Sequence, residues 1–153
     1  MSDRIVETPL RVRYAETDKM GVVYHSHYVV WFEVGRTEWC RAAGLPYSAM
    51  ETSGLLILVT GLTCRYLKSA RYDDAVTVRA MMTELGSRGC EFGYEVVNAD
   101  DEVLCGGTTR HVFADVTGRP LRAPQEVLDT LEAFRDSGEE PGLEQGPGAG
   151  LRV

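Results

Sequence analysis

Residues Tyr28 to Ala43 read YVVWFEVGRTEWCRAA, and this segment is the strongest indication of how the chain folds. Its apolar residues recur at helical spacing and form one stripe that contains Tyr28, Trp31, Phe32, Gly35, Trp39 and Ala42. A glycine inside a helix costs about 1 kcal/mol relative to alanine. We therefore predict a helix with a buried apolar stripe, and we expect its backbone to approach a neighbouring element closely at Gly35.

Residues suited to helix boundaries flank this segment. Ser26 is a suitable N-cap, and Gly44 is suited to the position just after a helix, with Pro46 two residues further on. Three charged residues fall mostly off the apolar stripe, namely Glu33, Arg36 and Arg41. The segment is therefore predicted to be an amphipathic helix.

Beyond Gly44 the pattern changes from helical to strand-like. Segments rich in Val, Thr, Phe, Tyr and Leu predict four strands, at Leu55 to Leu67, Ala75 to Glu84, Cys90 to Val97 and Glu102 to Ala114. Short turn-forming segments separate them, which is typical of an antiparallel meander. Apolar residues alternate most clearly at Val76, Val78, Ala80 and Met82, so one face of the sheet should be buried.

Two shorter elements are predicted on either side of this core. Leu10 and Val12 alternate with arginines, which predicts a strand from Leu10 to Tyr14 followed by a turn over residues 17–21. Near the other end, a helix is predicted from Pro124 as its first residue through Phe134. Together the elements predict an α+β fold with one long helix and an antiparallel sheet of about five strands.

Length and composition suit one domain. The chain has 153 residues, of which 25% are charged, and we expect residues 1–136 to form a single globular unit. Residues 137–153 are rich in Gly, Pro and Glu with almost no large apolar side chains, so we expect this tail to be disordered.

Charge and hydropathy exclude several classes of protein. A net charge of −7 argues against binding to nucleic acid or to an anionic membrane, because both need clustered Lys and Arg. The longest apolar run, Leu55 to Val59, is too short to span a bilayer, and we expect a cytoplasmic protein. The dispersed cysteines are expected to be reduced packing residues: Cys40, Cys64, Cys90 and Cys105.

The residues just before the long helix have the layout of a small acid–base or nucleophilic site. Residues 14–28 read YAETDKMGVVYHSHY and contain a carboxylate at Asp18, a glycine at Gly21 and an imidazole at His25. The N-terminus of a helix offers free backbone N–H groups and a positive dipole end, which stabilise an anion. We therefore expect Asp18 and His25 to lie near that N-terminus.

This motif and the helix after it resemble the 4-hydroxybenzoyl-CoA thioesterase-like family of hotdog-fold proteins, and especially its Tol-Pal-associated acyl-CoA thioesterase subgroup. The residues that carry the resemblance are Arg11-Val12, Thr17-Asp18, Gly21 to His25 and Trp31 to Glu38. The resemblance covers roughly residues 8–131. It implies a hotdog fold, in which a curved antiparallel sheet wraps a long helix, and active sites at a dimer interface.

The resemblance also implies roles for individual residues. Asp18 matches the family's catalytic carboxylate, and Tyr14 and His25 match residues that are linked to catalysis in the Tol-Pal-associated subgroup. A backbone N–H near Tyr24 or His25 is expected to polarise the thioester carbonyl, with Gly21 helping to position the substrate. His27 departs from the family pattern, which usually has Asn there. The implied activity is hydrolysis of an acyl-CoA thioester to a carboxylic acid and coenzyme A, with no metal or redox cofactor.

Binding partners are inferred in the same way. Lys68, Arg71 and Arg88 lie at predicted strand ends or turns, and they are our candidates for contacts with the phosphates of coenzyme A. A homodimer or homotetramer is expected, and an acyl-carrier protein is a further candidate partner.

Each site residue also has a structural interpretation. Asp18 alone could cap a turn, His25 alone could be a hydrogen-bonded structural histidine, and Tyr14 could be a core aromatic. Glu16 with Asp18 could be a carboxylate pair for glycoside hydrolysis, but a lone pair at this spacing is common and the chain lacks an aromatic-rich sugar cleft.

Three other functions remain open at this level. The first is a non-catalytic module that binds acyl-CoA or an acyl-carrier protein. The second is a metal enzyme that uses His25, His27 and His111, since His-x-His on a strand binds metals. The third is a dehydratase, another activity found on hotdog folds, although the spacing from Asp18 to His25 looks like the thioesterase type.

Overall fold

The computed structural model describes residues 3–138. In chain order its elements are β1 (Val6–Arg11), a short 3₁₀ helix (Tyr14–Glu16), α1 (Ser26–Ala42), α2 (Tyr47–Thr52), β2 (Leu56–Tyr66), β3 (Ala75–Leu85), β4 (Gly89–Asn98), β5 (Val103–Ala114) and α3 (Gln125–Arg135). The four strands predicted after the long helix are all present, each within one residue of its expected ends.

The five strands form one antiparallel sheet in the order β1-β3-β4-β5-β2. Strands β3, β4 and β5 are consecutive neighbours and form a meander, but β2 pairs with β5 and not with β3, so the predicted four-strand meander is confirmed only for its last three strands. Strands β1 and β2 lie at the two edges. The prediction of an α+β fold with one long helix and about five antiparallel strands is therefore confirmed.

Helix α1 packs its apolar stripe against the inner face of the sheet. Phe32 stacks on Tyr94 of β4 with ring centroids 4.5 Å apart, and both side chains are fully buried. A Cβ atom added to Gly35 would lie only 2.7 Å from Cγ1 of Val78 and 3.3 Å from Cβ of Ala80. The predicted close approach at Gly35 is confirmed, because the helix backbone lies directly on β3.

Some predicted boundaries were wrong. The first strand runs from Val6 to Arg11 rather than from Leu10 to Tyr14. It ends early because the Val12 N–H donates to the Asp74 carbonyl and Tyr14 then begins the 3₁₀ helix. Ser26 is the first residue of α1 and not its cap, and His25 takes the N-cap position without a capping side-chain bond. Gly44 follows the helix at φ +88°, as expected.

The last predicted helix also begins one residue later than expected. Pro124 is the N-cap of α3, which starts at Gln125 and ends at Arg135. The short helix α2 was not predicted. The expected tail, residues 137–153, lies outside the described residues except for Ser137 and Gly138.

A series of buried, hydrogen-bonded polar side chains runs from α1 across the sheet. It begins at Arg36, which was expected to lie mostly off the buried stripe. Arg36 donates to the hydroxyls of Tyr47 at 2.7 Å and Tyr94 at 3.1 Å. The Tyr94 hydroxyl lies 2.6 Å from Thr109 Oγ1, which lies 2.7 Å from Nε2 of His111. Arg36 is buried because these hydroxyls hydrogen-bond its guanidinium inside the protein.

The cysteines are placed as the sequence predicts. All four cysteines are free, and Cys40, Cys90 and Cys105 are buried while Cys64 is half-buried, in agreement with a packing role. Within residues 3–138 no helix has the length and apolar character needed to cross a membrane.

Candidate active site

A pocket of about 340 Å³ opens at the N-terminus of α1. It is lined by Asp18, Val22, Val23, His25, Tyr28, Tyr66, Leu67, Lys68 and Ser69. The motif residues Asp18 and His25 therefore lie on the same pocket, together with the end of β2 and the segment that follows it.

A tight turn holds the carboxylate of Asp18. The Asp18 N–H donates to the Val22 carbonyl at 2.9 Å, and the Gly21 N–H donates back to the Asp18 carbonyl at 3.0 Å. Gly21 has φ +78°, a conformation that glycine adopts without strain. Oδ1 of Asp18 accepts the Met20 N–H at 2.8 Å, whereas Oδ2 accepts no hydrogen bond from residues 3–138. One carboxylate oxygen is thus anchored, and the other is available to a ligand.

The neighbouring segment 68–71 is fixed against this turn. The Val23 N–H donates to the Ala70 carbonyl at 2.9 Å, and Val22 forms a β-bridge with Arg71. The Ala70 N–H donates to the Tyr28 hydroxyl at 3.0 Å, which ties the segment to the first turns of α1. Burial raises the pKa of the Tyr28 hydroxyl, so this group is a neutral phenol and not a base.

At the start of α1, the backbone N–H groups of Tyr24 and His25 differ in their hydrogen bonding. The Tyr24 N–H donates to the Glu16 carbonyl at 2.9 Å, and the His27 N–H donates to the Tyr24 carbonyl at 3.0 Å. By contrast, the His25 N–H has no acceptor in the described part of the chain. Of the two candidates from the sequence, His25 and not Tyr24 has a backbone N–H that can bind a carbonyl oxygen.

Tyr14 and His27 do not line the pocket. Tyr14 was expected in a strand, but it lies in the 3₁₀ helix with 78% of its side chain exposed, and its ring packs edge-on against Tyr72 at 5.7 Å. His27 is half-buried in the first turn of α1, with its ring 6.5 Å from that of Tyr24. Within this chain, neither residue belongs to the set that lines the pocket with Asp18.

The candidate phosphate-binding residues are divided between two places. Lys68 lines the pocket, where its ammonium pairs with Glu102, and the Arg71 guanidinium lies beside Gly21. Arg88 precedes Gly89, which pairs with Val112, whereas Tyr66 at the pocket pairs with Cys105. These two positions are seven residues apart along β5, or about 23 Å. Arg88 is therefore remote from the pocket within one chain.

The structure also separates the three histidines of the metal hypothesis. His111 is buried in the core, where its ring packs edge-on against Phe92. Burial and the nearby positive charge of Arg36 lower the pKa of His111 to about 4, so it is neutral at pH 7. Within residues 3–138, no three His, Cys, Asp or Glu side chains are grouped to hold a metal ion. The proposed site made of His25, His27 and His111 was wrong.

Glu16 is a buried residue that the sequence interpretation considered only as a carboxylate partner of Asp18. It is 3% exposed, and its oxygens accept the Arg13 N–H and the Trp31 indole N–H, each at 2.8 Å. Burial favours the neutral acid, but these hydrogen bonds and the Arg13 charge together lower the pKa of Glu16. No local signal predicts the contact, because fifteen residues separate Glu16 from Trp31.

The family of the chain follows from comparison with known proteins. The profile of the Thioesterase-like superfamily matches residues 12–131, which include the pocket and strands β2 to β5 but not the edge strand β1. The chain belongs to this superfamily. That membership confirms the resemblance found in the sequence and the prediction of an enzyme that hydrolyses thioesters.

Individual members of the superfamily are similar over most of their length. The acyl-CoA thioesterase YbgC of Haemophilus influenzae is 35% identical over 130 residues, covering 83% of this chain and 94% of its own. The acyl-CoA thioester hydrolase YbgC of Escherichia coli O6:H1 is 32% identical over 129 residues, with 84% and 96% covered. A solved DHNA-CoA thioesterase from Staphylococcus aureus superposes with a TM-score of 0.80 at 31% identity, covering 90% of this chain and 97% of its own. The fold is therefore the predicted hotdog fold.

Proposed function

We propose that this superfamily member hydrolyses acyl-CoA thioesters to a carboxylic acid and free coenzyme A. One observation carries the proposal: Asp18 and His25 line the same pocket. Among the described residues, Asp18 has a carboxylate oxygen without a hydrogen bond, and His25, at the helix N-terminus, has a backbone N–H without an acceptor. The names of the two YbgC relatives support the acyl-CoA substrate class.

The His25 N–H is the proposed oxyanion donor. As the thioester carbon becomes tetrahedral, negative charge develops on its oxygen, and a preorganised donor at a positive helix end stabilises that charge. Removing one such donor typically costs about 10²–10³ in kcat. The Tyr24 N–H does not serve here because it is bonded to Glu16.

Asp18 is the proposed reactive carboxylate, and two routes use it. In the first, Oδ2 attacks the thioester carbon, the thiolate of coenzyme A leaves, and water hydrolyses the mixed anhydride. In the second, Asp18 takes a proton from a water molecule that attacks the same carbon. Both routes consume one water and release one acid and one thiol. Accumulation of an acyl-Asp18 species in a rapid-quench experiment supports the first route, and its absence supports the second.

We propose that the imidazole of His25 orients the thioester or the departing thiol. Its ring packs against Tyr24 with centroids 4.2 Å apart and lies edge-on to Tyr66 at 6.4 Å. A thiolate of coenzyme A leaves readily, so substitution of the His25 side chain should cost less than substitution of Asp18. The backbone N–H of residue 25 persists in such a variant.

We also propose that the active unit is a homo-oligomer. Strand β2 is an edge of the sheet, and five large apolar side chains on or next to it are exposed: Leu58, Val59, Leu62, Tyr66 and Leu67. An unpaired edge with exposed apolar residues is suited to pairing with another chain. In an assembly through this edge, a partner would lie beside the pocket. Sedimentation of the native chain and of Leu62→Lys tests this, and a monomeric native chain would contradict it.

Release of free thiol from short-chain, long-chain and aromatic acyl-CoA substrates tests the proposed activity. We expect turnover with at least one substrate class, unaffected by a metal chelator. Tight binding of acyl-CoA without turnover of any class would instead support the non-catalytic binding module. A thioester of an acyl-carrier protein, the other candidate partner, is assayed in parallel. Comparison of the two rates shows whether coenzyme A or the carrier protein is the preferred acyl donor.

A further inference from the structure

Glu16 joins the segment before Asp18 to helix α1 and to the residues that enter the helix, through three hydrogen bonds. Its carboxylate accepts the backbone N–H of Arg13 and the indole N–H of Trp31, and its own carbonyl accepts the N–H of Tyr24. Arg13 also places its guanidinium 3.5 Å from the carboxylate. A buried charge that has several donors of this kind is held in one position.

Glu16 and two of its partners, Trp31 and Tyr24, are each close in sequence to a residue that lines the pocket or in contact with one. Glu16 lies two residues before Asp18, so its position determines where the Asp18 turn begins. Trp31 belongs to α1 and packs edge-on against Tyr28, a pocket wall, at 5.0 Å. Tyr24 immediately precedes His25. The Glu16 contacts thus fix the segment that carries Asp18 to the body of the helix and to the chain entering it.

We propose that Glu16 is a positioning residue that sets the separation between the Asp18 carboxylate and the free His25 N–H. This inference rests on the proposed hydrolase function. Reactions of this kind depend on geometry, and a displacement of about 1 Å can cost on the order of 10² in rate. The carboxylate itself is buried and bonded on both oxygens, so it is not the group that reacts.

Substitution of Glu16→Gln tests the proposal with little change in volume. Arg13 and Trp31 donate to different oxygens of Glu16, and in Gln an NH2 group replaces one of these oxygens, so one of the two donors loses its acceptor. We expect kcat to fall by about 10- to 100-fold, with KM and the Kd for coenzyme A changed less than about threefold. Glu33→Gln, an exposed change on the same helix as Trp31, is the matched control and should leave kcat unchanged.

Trp31→Phe provides a second variant that removes the donor instead of the acceptor. It should lower kcat to a similar extent, and the double variant should be little worse than Glu16→Gln alone, because both changes break one connection. A kcat for Glu16→Gln within twofold of the native value would overturn the proposal. So would losses in both variants that equal their unfolded fractions at the assay temperature.

A measurement that does not depend on enzymatic activity tests the positioning role separately from the hydrolase proposal. In ¹H–¹⁵N spectra, Glu16→Gln and Trp31→Phe should shift the backbone amides of Tyr24 and His25, and Glu33→Gln should not. Unchanged amides would overturn the positioning role whatever the activity. Shifted amides in a chain that hydrolyses no acyl-CoA would support the geometry and contradict the hydrolase function alone.

Discussion

The phenolic hydroxyl of Tyr66 donates a hydrogen bond of 2.8 Å to the backbone carbonyl of His25. Tyr66 is the last residue of the edge strand β2, and its ring lies edge-on to Tyr28 at 5.4 Å. The bond therefore joins the end of the sheet to the residue that caps α1. Through it, the edge of the sheet constrains the helix terminus that faces the pocket.

Tyr66→Phe should lower kcat/KM severalfold while the fold persists. The variant keeps the aromatic packing but releases the His25 carbonyl, so the adjacent N–H is held less firmly. Since the side chain is 46% exposed, the free energy of unfolding should fall by less than about 1 kcal/mol. Steady-state kinetics and thermal melts measure both effects. Tyr72→Phe, an exposed change outside the pocket, is the control, and equal kcat/KM values for the two variants would refute this role.

Lys68→Ala should raise KM for acyl-CoA several-fold with little change in kcat. Lys68 lines the pocket and is exposed, so we expect it to bind phosphate by charge rather than to act on the thioester. The increase in KM should shrink as the salt concentration rises, because salt screens the native attraction. Assays at low and high salt measure this. Arg119→Ala, in the exposed turn after β5, should change neither constant, and a salt-independent effect at Lys68 would argue against a phosphate contact.

Gly35→Ala should lower the free energy of unfolding by about 1–3 kcal/mol, although alanine is the better helix former. The new methyl would lie 2.7 Å from Val78, which forces α1 away from β3. Urea unfolding measures the loss. In Gly86→Ala, the nearest atom to the added Cβ is 3.8 Å away, so that variant should keep its stability. A Gly35→Ala protein as stable as the native chain would show that the helix can move outward without cost.

His111 should make the fold sensitive to acid. Its folded pKa, about 4, lies below its usual value of 6.5 because burial and Arg36 oppose the charged form. Burial of the neutral ring therefore makes its full contribution to the free energy of unfolding above pH 6.5. That contribution is lost as the pH falls from 6.5 toward 4. The loss should amount to roughly 3 kcal/mol. Urea unfolding across this pH range should show a shallower slope in His111→Gln, and the same slope as native in His27→Gln. Identical slopes in all three proteins would contradict the prediction.

The regular elements were predictable from the sequence because their signals are local. The apolar stripe of α1, the alternation in β3 and the turns between the later strands each involve residues that are close together in the sequence. Helix α2, only six residues long, has no comparable pattern. Arg36 was wrongly expected to lie off the buried stripe. The hydroxyls that make its burial possible belong to Tyr47 and Tyr94, which lie on other elements and cannot be identified from the helix sequence.

The candidate site was predictable in part for the same reason. Asp18 and His25 could be identified from one contiguous motif, and both line the pocket. Tyr14 was assigned to a strand because alternation continues up to it, whereas hydrogen bonding to Asp74 ends that pattern at Val12. The role of Glu16 required three-dimensional structure, since its partner Trp31 lies on the helix.

The proposed role of Asp18 is tested most directly by thiol release from the best acyl-CoA substrate in the Asp18→Asn variant. The variant keeps the size and the Oδ1 acceptor of the side chain but removes the nucleophile or base. We predict a fall in kcat of about 10³-fold or more, with the fold and the Kd for coenzyme A intact, and native activity in the exposed control Asp100→Asn. A kcat for Asp18→Asn within tenfold of the native value would contradict the assignment of Asp18 as the reactive carboxylate.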